Sequence, residues 1–135
     1  MSLYVLDTSA VMALLNDEEG ADDVQNLFSR AQVSEAKVYL PFIVLMELEY
    51  LLLRKRNRDE VQHILHLVED WPIETAQEHA AWRHQAAMVK ATCPVSVADA
   101  WICSLALLLD AQLMHKDPEF DCVPDLKVLR LPHKS

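Results

Sequence analysis

Four carboxylates in this 135-residue chain are set in apolar rather than charged sequence. They are Asp7 in LYVLDTSAV, Glu47 in FIVLMELEY, Asp99 in PVSVADAWI and Asp117 in LMHKDPEF. Acidic side chains are seldom buried without a partner or a metal ion. If folding gathers these four in one cleft, their repulsion calls for a divalent cation. An all-oxygen donor set suits Mg²⁺ or Mn²⁺, and no His/Cys set has the spacing of a zinc site. With one or two such ions, a centre of this kind can hydrolyse a phosphodiester by activating water and stabilising the leaving oxygen.

Each acid also has a plainer reading. Asp7 ends the apolar run Leu3–Leu6 and precedes Thr8 and Ser9. It is placed either to cap the helix that follows or to face a ligand at a strand's carboxyl end. Glu47 lies in a helix that is apolar on most faces, while Glu49 projects about 200° away; both side chains being partly exposed is the alternative. Ser96 and Asp99 form a capping-box pattern, which explains Asp99 as well as a cleft does. Asp117 precedes Pro118 as a turn aspartate would. No single position decides; the ordered set of four is what points to a site.

The elements that must position them follow from periodicity and breakers. Leu3–Leu6 reads as a strand, Thr8 to about Leu15 as a helix, Asn16–Gly20 as a polar break holding the only glycine, and Ala21–Arg30 as a helix. Lys37–Leu40 reads as a second strand, and Pro41 opens a long helix to about Lys55. A helix follows from about Asp59, with Val61, Ile64, Leu65 and Val68 on one face. Trp71–Glu74 suits a short strand, and Thr75 with Glu78 predicts a capped helix to about Lys90. Ser96 opens a helix to about Asp110; Gln112–His115 and Lys127–Leu131 suit the last strands. Alternating strands and helices predict an α/β fold: a single domain over residues 1–135 with a mostly parallel central sheet of four or five strands, flanked by helices on both faces.

Composition sets bounds. Hydrophobic residues are 52% and charged residues 24%, which fits a globular fold and not a disordered one. No apolar run approaches a membrane span, and Asp7 interrupts an N-terminal stretch that lacks a basic leader region. Cys93, Cys103 and Cys122 are odd in number and lack metal-like spacing, which suits a reducing cytoplasm. The net charge of −9 opposes a broad nucleic-acid-binding surface. Four acids reserved for cations account for part of it, and a basic partner protein would fit it equally.

On the motifs VLDTSAVMALL, VLMELEYLL, SVADAWICSLA and LMHKDPEF the chain resembles PIN-domain nucleases, and within them the VapC-type ribonuclease toxins of type II toxin–antitoxin systems. The resemblance spans nearly the whole chain. It implies a PIN-like domain in which Asp7, Glu47, Asp99 and Asp117 are catalytic. Asp7, Asp99 and Asp117 would hold one or two Mg²⁺ or Mn²⁺ ions, and no other cofactor is expected. It also implies cleavage of single-stranded RNA, a cognate antitoxin, a homodimer and no membrane association. Thr8, Ser9 and Glu119 are accessory candidates, and His115 stands where family members often carry a hydroxyl or amide residue. Two other readings stay open: a PIN-fold interaction module without activity, and an aspartate-nucleophile phosphatase using Asp7. The latter expects an aspartate two positions on, where Ser9 stands.

Other features are less decisive. Arg54, Lys55, Arg56 and Arg58 suit either RNA phosphates or a solvated helix end. Trp71, Trp82 and Trp101 suit base stacking or, more simply, core packing. His79 and His84 are expected at the surface, and Cys103 in the core.

Overall fold

The computed structural model describes residues 1–116 and 118–132. Five strands, β1 (Ser2–Leu6), β2 (Ala36–Pro41), β3 (Glu74–Ala76), β4 (Gln112–His115) and β5 (Lys127–Arg130), pair side by side in the order β3-β2-β1-β4-β5. All four pairings are parallel. The central strands are apolar on both faces, with Val5, Leu6, Leu40 and Leu113 wholly buried, as a parallel sheet covered by helices requires. The chain builds outward from β1 through β2 to β3 and then returns to place β4 on the other side of β1. That reversal puts the topological switch point between β1 and β4, where open α/β sheets form their ligand crevice.

Six α-helices cover the sheet: α1 (Thr8–Leu15), α2 (Ala21–Gln32), α3 (Phe42–Leu53), α4 (Arg58–Glu69), α5 (Ala80–Thr92) and α6 (Val97–Leu109). The predicted α/β class and parallel, helix-flanked sheet are those of the structure. Several ends move by one or two residues, Pro41 closing β2 rather than opening α3, and two elements are shifted further. The third strand is Glu74–Ala76 rather than Trp71–Glu74, because Ile73 N–H closes a tight turn on the Trp71 carbonyl at 2.8 Å. Thr75 therefore pairs with Leu40 in the sheet and caps nothing. The cap of α5 is His79, whose Nδ1 accepts the Trp82 N–H at 3.4 Å.

Trp82 explains why α5 begins where it does. Its indole is fully buried and donates from Nε1 to the Trp101 carbonyl and to Ser104 Oγ. Phe42, Trp82 and Trp101 pack edge to face at 5.1–5.4 Å, and Trp71 lies against Phe28 at 5.3 Å. Trp82 thus belongs to the core, and Trp71 and Trp101 pack against it while staying partly exposed. Cys103 is also buried, and burial pushes its thiol up to about 12, so it is inert at neutral pH. Among the described residues no helix is long and apolar enough to cross a membrane.

Gly20 joins α1 to α2 at φ +97°, a conformation that L side chains rarely adopt. A Cβ there would lie 2.9 Å from Cβ of the buried Leu131. Gly20→Ala is expected to lower stability by about 1–3 kcal/mol, as strained backbone and the displaced leucine combine. Urea denaturation checks this; an unchanged midpoint would show that the connection relaxes freely.

Candidate active site

The carboxyl ends of β1, β2 and β4 meet the amino ends of α1, α3 and α6, and four acidic side chains come from these places. Asp7 follows the last residue of β1, and its N–H donates to the Met114 carbonyl of β4 at 3.1 Å, which pins it at the switch point. Its extended backbone makes it the N-cap of α1, with Oδ2 accepting from Ser9 N–H at 3.3 Å and from Ser9 Oγ at 2.6 Å. Both Ser9 bonds fall on Oδ2, and the Thr8 backbone N–H adds to the hydrogen bonding of the same carboxylate. Capping and a place at the crevice are therefore compatible for Asp7, which caps α1 while its carboxyl lies near those of Glu47 and Asp99.

Glu47 lies one and a half turns into α3, whose start is fixed by Pro41 at the end of β2. Thr8 Oγ1 donates to Glu47 Oε1 at 2.9 Å, joining α1 to α3 across the crevice. Of the two glutamates on α3, Glu47 is the one turned toward Asp7. Asp99 stands in the first turn of α6, its N–H donating to the Ser96 hydroxyl at 3.1 Å. Glu119, on the 3-10 turn Pro118–Cys122, reaches Asp99 closely enough for the two carboxyl groups to share a hydrogen bond. Asp117, expected to be the fourth member, lies outside the described residues.

Electrostatics register this crowding. Asp7, only 6% exposed, has its carboxyl raised from 3.8 to about 6, chiefly by burial, with Glu47 adding repulsion and the Ser9 bonds opposing. Asp99 is half-buried and raised to about 7 by desolvation, by the hydrogen bond with Glu119 and by the charges of Asp7 and Glu119. Carboxyls pushed this far up mark a cleft that resists holding its own negative charge. The donors are all hard oxygens, which fits Mg²⁺ or Mn²⁺. Among the described residues no three His, Cys, Asp or Glu side chains form a ready-made metal cage. Mg²⁺ needs none, since it keeps several waters and takes one or two protein carboxylates.

Thr8 and Ser9 do more than capping would require. Ser9 Oγ also accepts the Lys116 N–H at 3.0 Å, so one hydroxyl fixes both Asp7 and the chain leaving β4. Lys116 Nζ pairs with Glu18 at 3.0 Å and is thereby committed away from the acids. His115 is fully buried and lies edge to face with Phe120 at 4.9 Å, a packing role that also anchors the turn bearing Glu119. Nothing local in the sequence signals the Thr8–Glu47 and Ser9–Lys116 bonds, which join residues far apart in the chain.

The PIN domain is the family whose description matches the chain, over residues 4–126. Three solved structures are similar along their whole length. VapBC2 from Rickettsia felis, bound to a promoter DNA fragment, has 20% identity and TM-score 0.79, with 96% of this chain and 99% of that one covered. DNA-bound VapBC from Salmonella typhimurium has 18% identity and TM-score 0.79, covering 96% and 98%. VapBC-5 from Mycobacterium tuberculosis, a member of the VapBC family of toxin–antitoxin systems, has 19% identity and TM-score 0.61, covering 97% and 100%. No curated protein matches the sequence.

Proposed function

We propose that this chain, which belongs to the PIN-domain family, is a Mg²⁺- or Mn²⁺-dependent endoribonuclease that cuts single-stranded RNA and is the toxin of a toxin–antitoxin pair. The observation that carries the nuclease reading is the convergence of Asp7, Glu47, Asp99 and Glu119 at the switch point, with two of their carboxyls raised to about 6 and about 7. Asp7, Asp99 and Asp117 would hold the ion, with Glu119 as an accessory. Bound there, Mg²⁺ or Mn²⁺ supplies Lewis acidity, which lowers the pKa of water and neutralises charge on the scissile phosphate. Glu47, steadied by Thr8, is placed to orient water or take its proton. Ser9, bonded to Asp7 Oδ2, would restrain the rotamer of that carboxylate. The phosphatase reading loses ground because Ser9, where a second aspartate is wanted, is spent on Asp7 and Lys116.

Likeness to three VapBC structures supports the toxin assignment and an antitoxin partner; a cytoplasmic location is part of the same proposal. An apolar stripe on α3, Met46, Tyr50 and Leu53 at 39–55% exposure, offers surface for that partner or for a homodimer. The decisive experiment incubates the purified protein, freed of any antitoxin, with a total RNA pool in Mn²⁺, in Mg²⁺ and in EDTA. Cleavage is expected with the ions and not with EDTA. An RNA pool that stays intact under all three conditions would sink the nuclease reading.

A further inference from the structure

The acidic cleft cannot by itself attract RNA, and the chain as a whole carries 21 acidic against 12 basic residues. Beyond the proposed ion, attraction over more than the scissile phosphate calls for a local positive surface near the carboxylates. Helices α1 and α3 both start at the carboxyl end of the sheet and run side by side in the same sense. Thr8 meets Glu47 at the upper end, and farther along Met12 and Asn16 of α1 face Leu51, Leu52 and the segment Arg54–Arg56. These groups enclose a cavity of about 520 Å³. Glu47, Leu51 and Arg54 recur at i, i+4 and i+7, so the carboxylate, the apolar floor and the first cation share one face of α3. The basic end lies about 12 Å from Glu47 along the helix.

We propose that this groove between α1 and α3 holds the sugar–phosphate backbone of single-stranded RNA, with Arg54, Lys55 and Arg56 taking phosphates and Met12 and Leu51 meeting a base. The inference rests on the nuclease reading for the identity of its ligand. Its cations are available: among the described residues neither Arg54 nor Lys55 enters an ion pair, and Arg56 makes only an exposed contact with Glu60 at 3.9 Å. Arg54 stacks over the Tyr50 ring at 4.9 Å, which holds the guanidinium in place without neutralising it. A merely solvated helix end would also collect cations, because the helix dipole favours them. It would not form their cavity wall, with buried Leu52 and half-buried Leu51 and Met12 as its floor. Charge on the rim and apolar surface beneath match the two faces of a single-stranded nucleotide, its phosphate and its base.

The test is anisotropy of a fluorescent single-stranded RNA oligomer with the full chain in EDTA, between about 50 and 200 mM salt. Each lost phosphate contact should flatten the slope of log affinity against log salt by about 0.7. Arg54→Gln, Lys55→Gln and Arg56→Gln combined are expected to weaken binding about 10–100-fold at the low-salt end and remove about two units of slope. Lys55→Arg, which keeps the charge, should bind nearly as the wild type does, whereas Lys55→Gln should flatten the slope by about 0.7. Photo-crosslinking of thiouridine-containing RNA to Met12 or Leu51 reads the same groove without any basic substitution. A triple variant with the wild-type slope, crosslinks confined elsewhere, or a groove that takes polyglutamate while RNA fails to bind would each overturn the proposal. Cleavage in Mn²⁺ is scored separately: wild-type cutting with an unaltered variant slope sinks only the groove, and RNA binding through the groove without cutting sinks only the nuclease.

Discussion

Asn at position 7 is expected to silence RNA cleavage and, in the same molecule, to stabilise the metal-free fold. The two effects share one cause. Asp7 sits where its charge is opposed by burial and by Glu47, and its carboxyl rises from 3.8 to about 6 as a result. At pH 8 the folded chain must nevertheless carry that charge when no cation is present. A shift of this size corresponds to about 3 kcal/mol against folding at that pH, so Asp7→Asn should gain about 2–3 kcal/mol in urea denaturation with EDTA. Asn is as good an N-cap as Asp and can still accept from Ser9, so loss of the α1 cap does not confound the measurement. The same substitution removes an anionic ligand from the proposed centre and should lower cleavage by about 10³-fold or more, equivalent to about 4 kcal/mol of barrier. A variant that still cuts RNA at the wild-type rate would remove Asp7 from catalysis. A variant that unfolds more easily at pH 8 would mean that Asp7 is structural, its charge satisfied rather than opposed.

Asp7, Glu47 and Asp99 were legible because each is a charge set in apolar sequence, and strand–helix alternation places strand ends and helix starts at one edge of the sheet. The positions of β1, β2, β4 and α6 follow from the same signals: short apolar runs, Pro41, and Ser96 before Asp99. Thr75 was misleading because its local pattern of Ser/Thr followed three residues later by Glu is real, while pairing with Leu40 overrides it. The cap moves to His79 because Trp82 must reach the Trp101 carbonyl and Ser104. What no window of sequence contains is which hydroxyl meets which carboxylate. Thr8 finds Glu47 because two helices run in parallel from one sheet edge, and Ser9 finds Lys116 because β4 returns beside β1. Glu119 was visible as a nearby acid, yet its hydrogen bond with Asp99 depends on how the turn after β4 folds back over α6. Distances within the site are a property of topology, and topology is a sum over the whole chain.

That crowding has a consequence for the metal-free protein as a function of pH. Asp7 and Asp99 both have folded-state carboxyls raised above the ordinary 3.8, to about 6 and about 7. For an acid raised in this way, the folded state binds the proton more tightly than the unfolded chain. The resulting stabilisation is complete below pH 3.8 and is lost as pH rises through about 6 to 7. Between pH 5 and pH 8 in EDTA, stability should therefore fall by about 2–3 kcal/mol, with the share from Asp99 reduced because that side chain is only half-buried. For a domain of this size the thermal midpoint should drop by about 8–12 °C over the same range. Most small proteins lose stability toward acid because their carboxylates are paired in the native state, so the expected slope has the unusual sign. A ligand that binds only the folded chain adds RT ln(1 + [L]/Kd), and an ion held by carboxylates binds more tightly as protons leave. Millimolar Mn²⁺ or Mg²⁺ should accordingly flatten the decline, raising the midpoint more at pH 8 than at pH 5. Asp7→Asn combined with Asp99→Asn should flatten it without any ion and abolish the response to the ion. A midpoint in EDTA that climbs from pH 5 to pH 8 would mean that these two acids are already compensated within the fold, and the case for a cation at the switch point would fail with them.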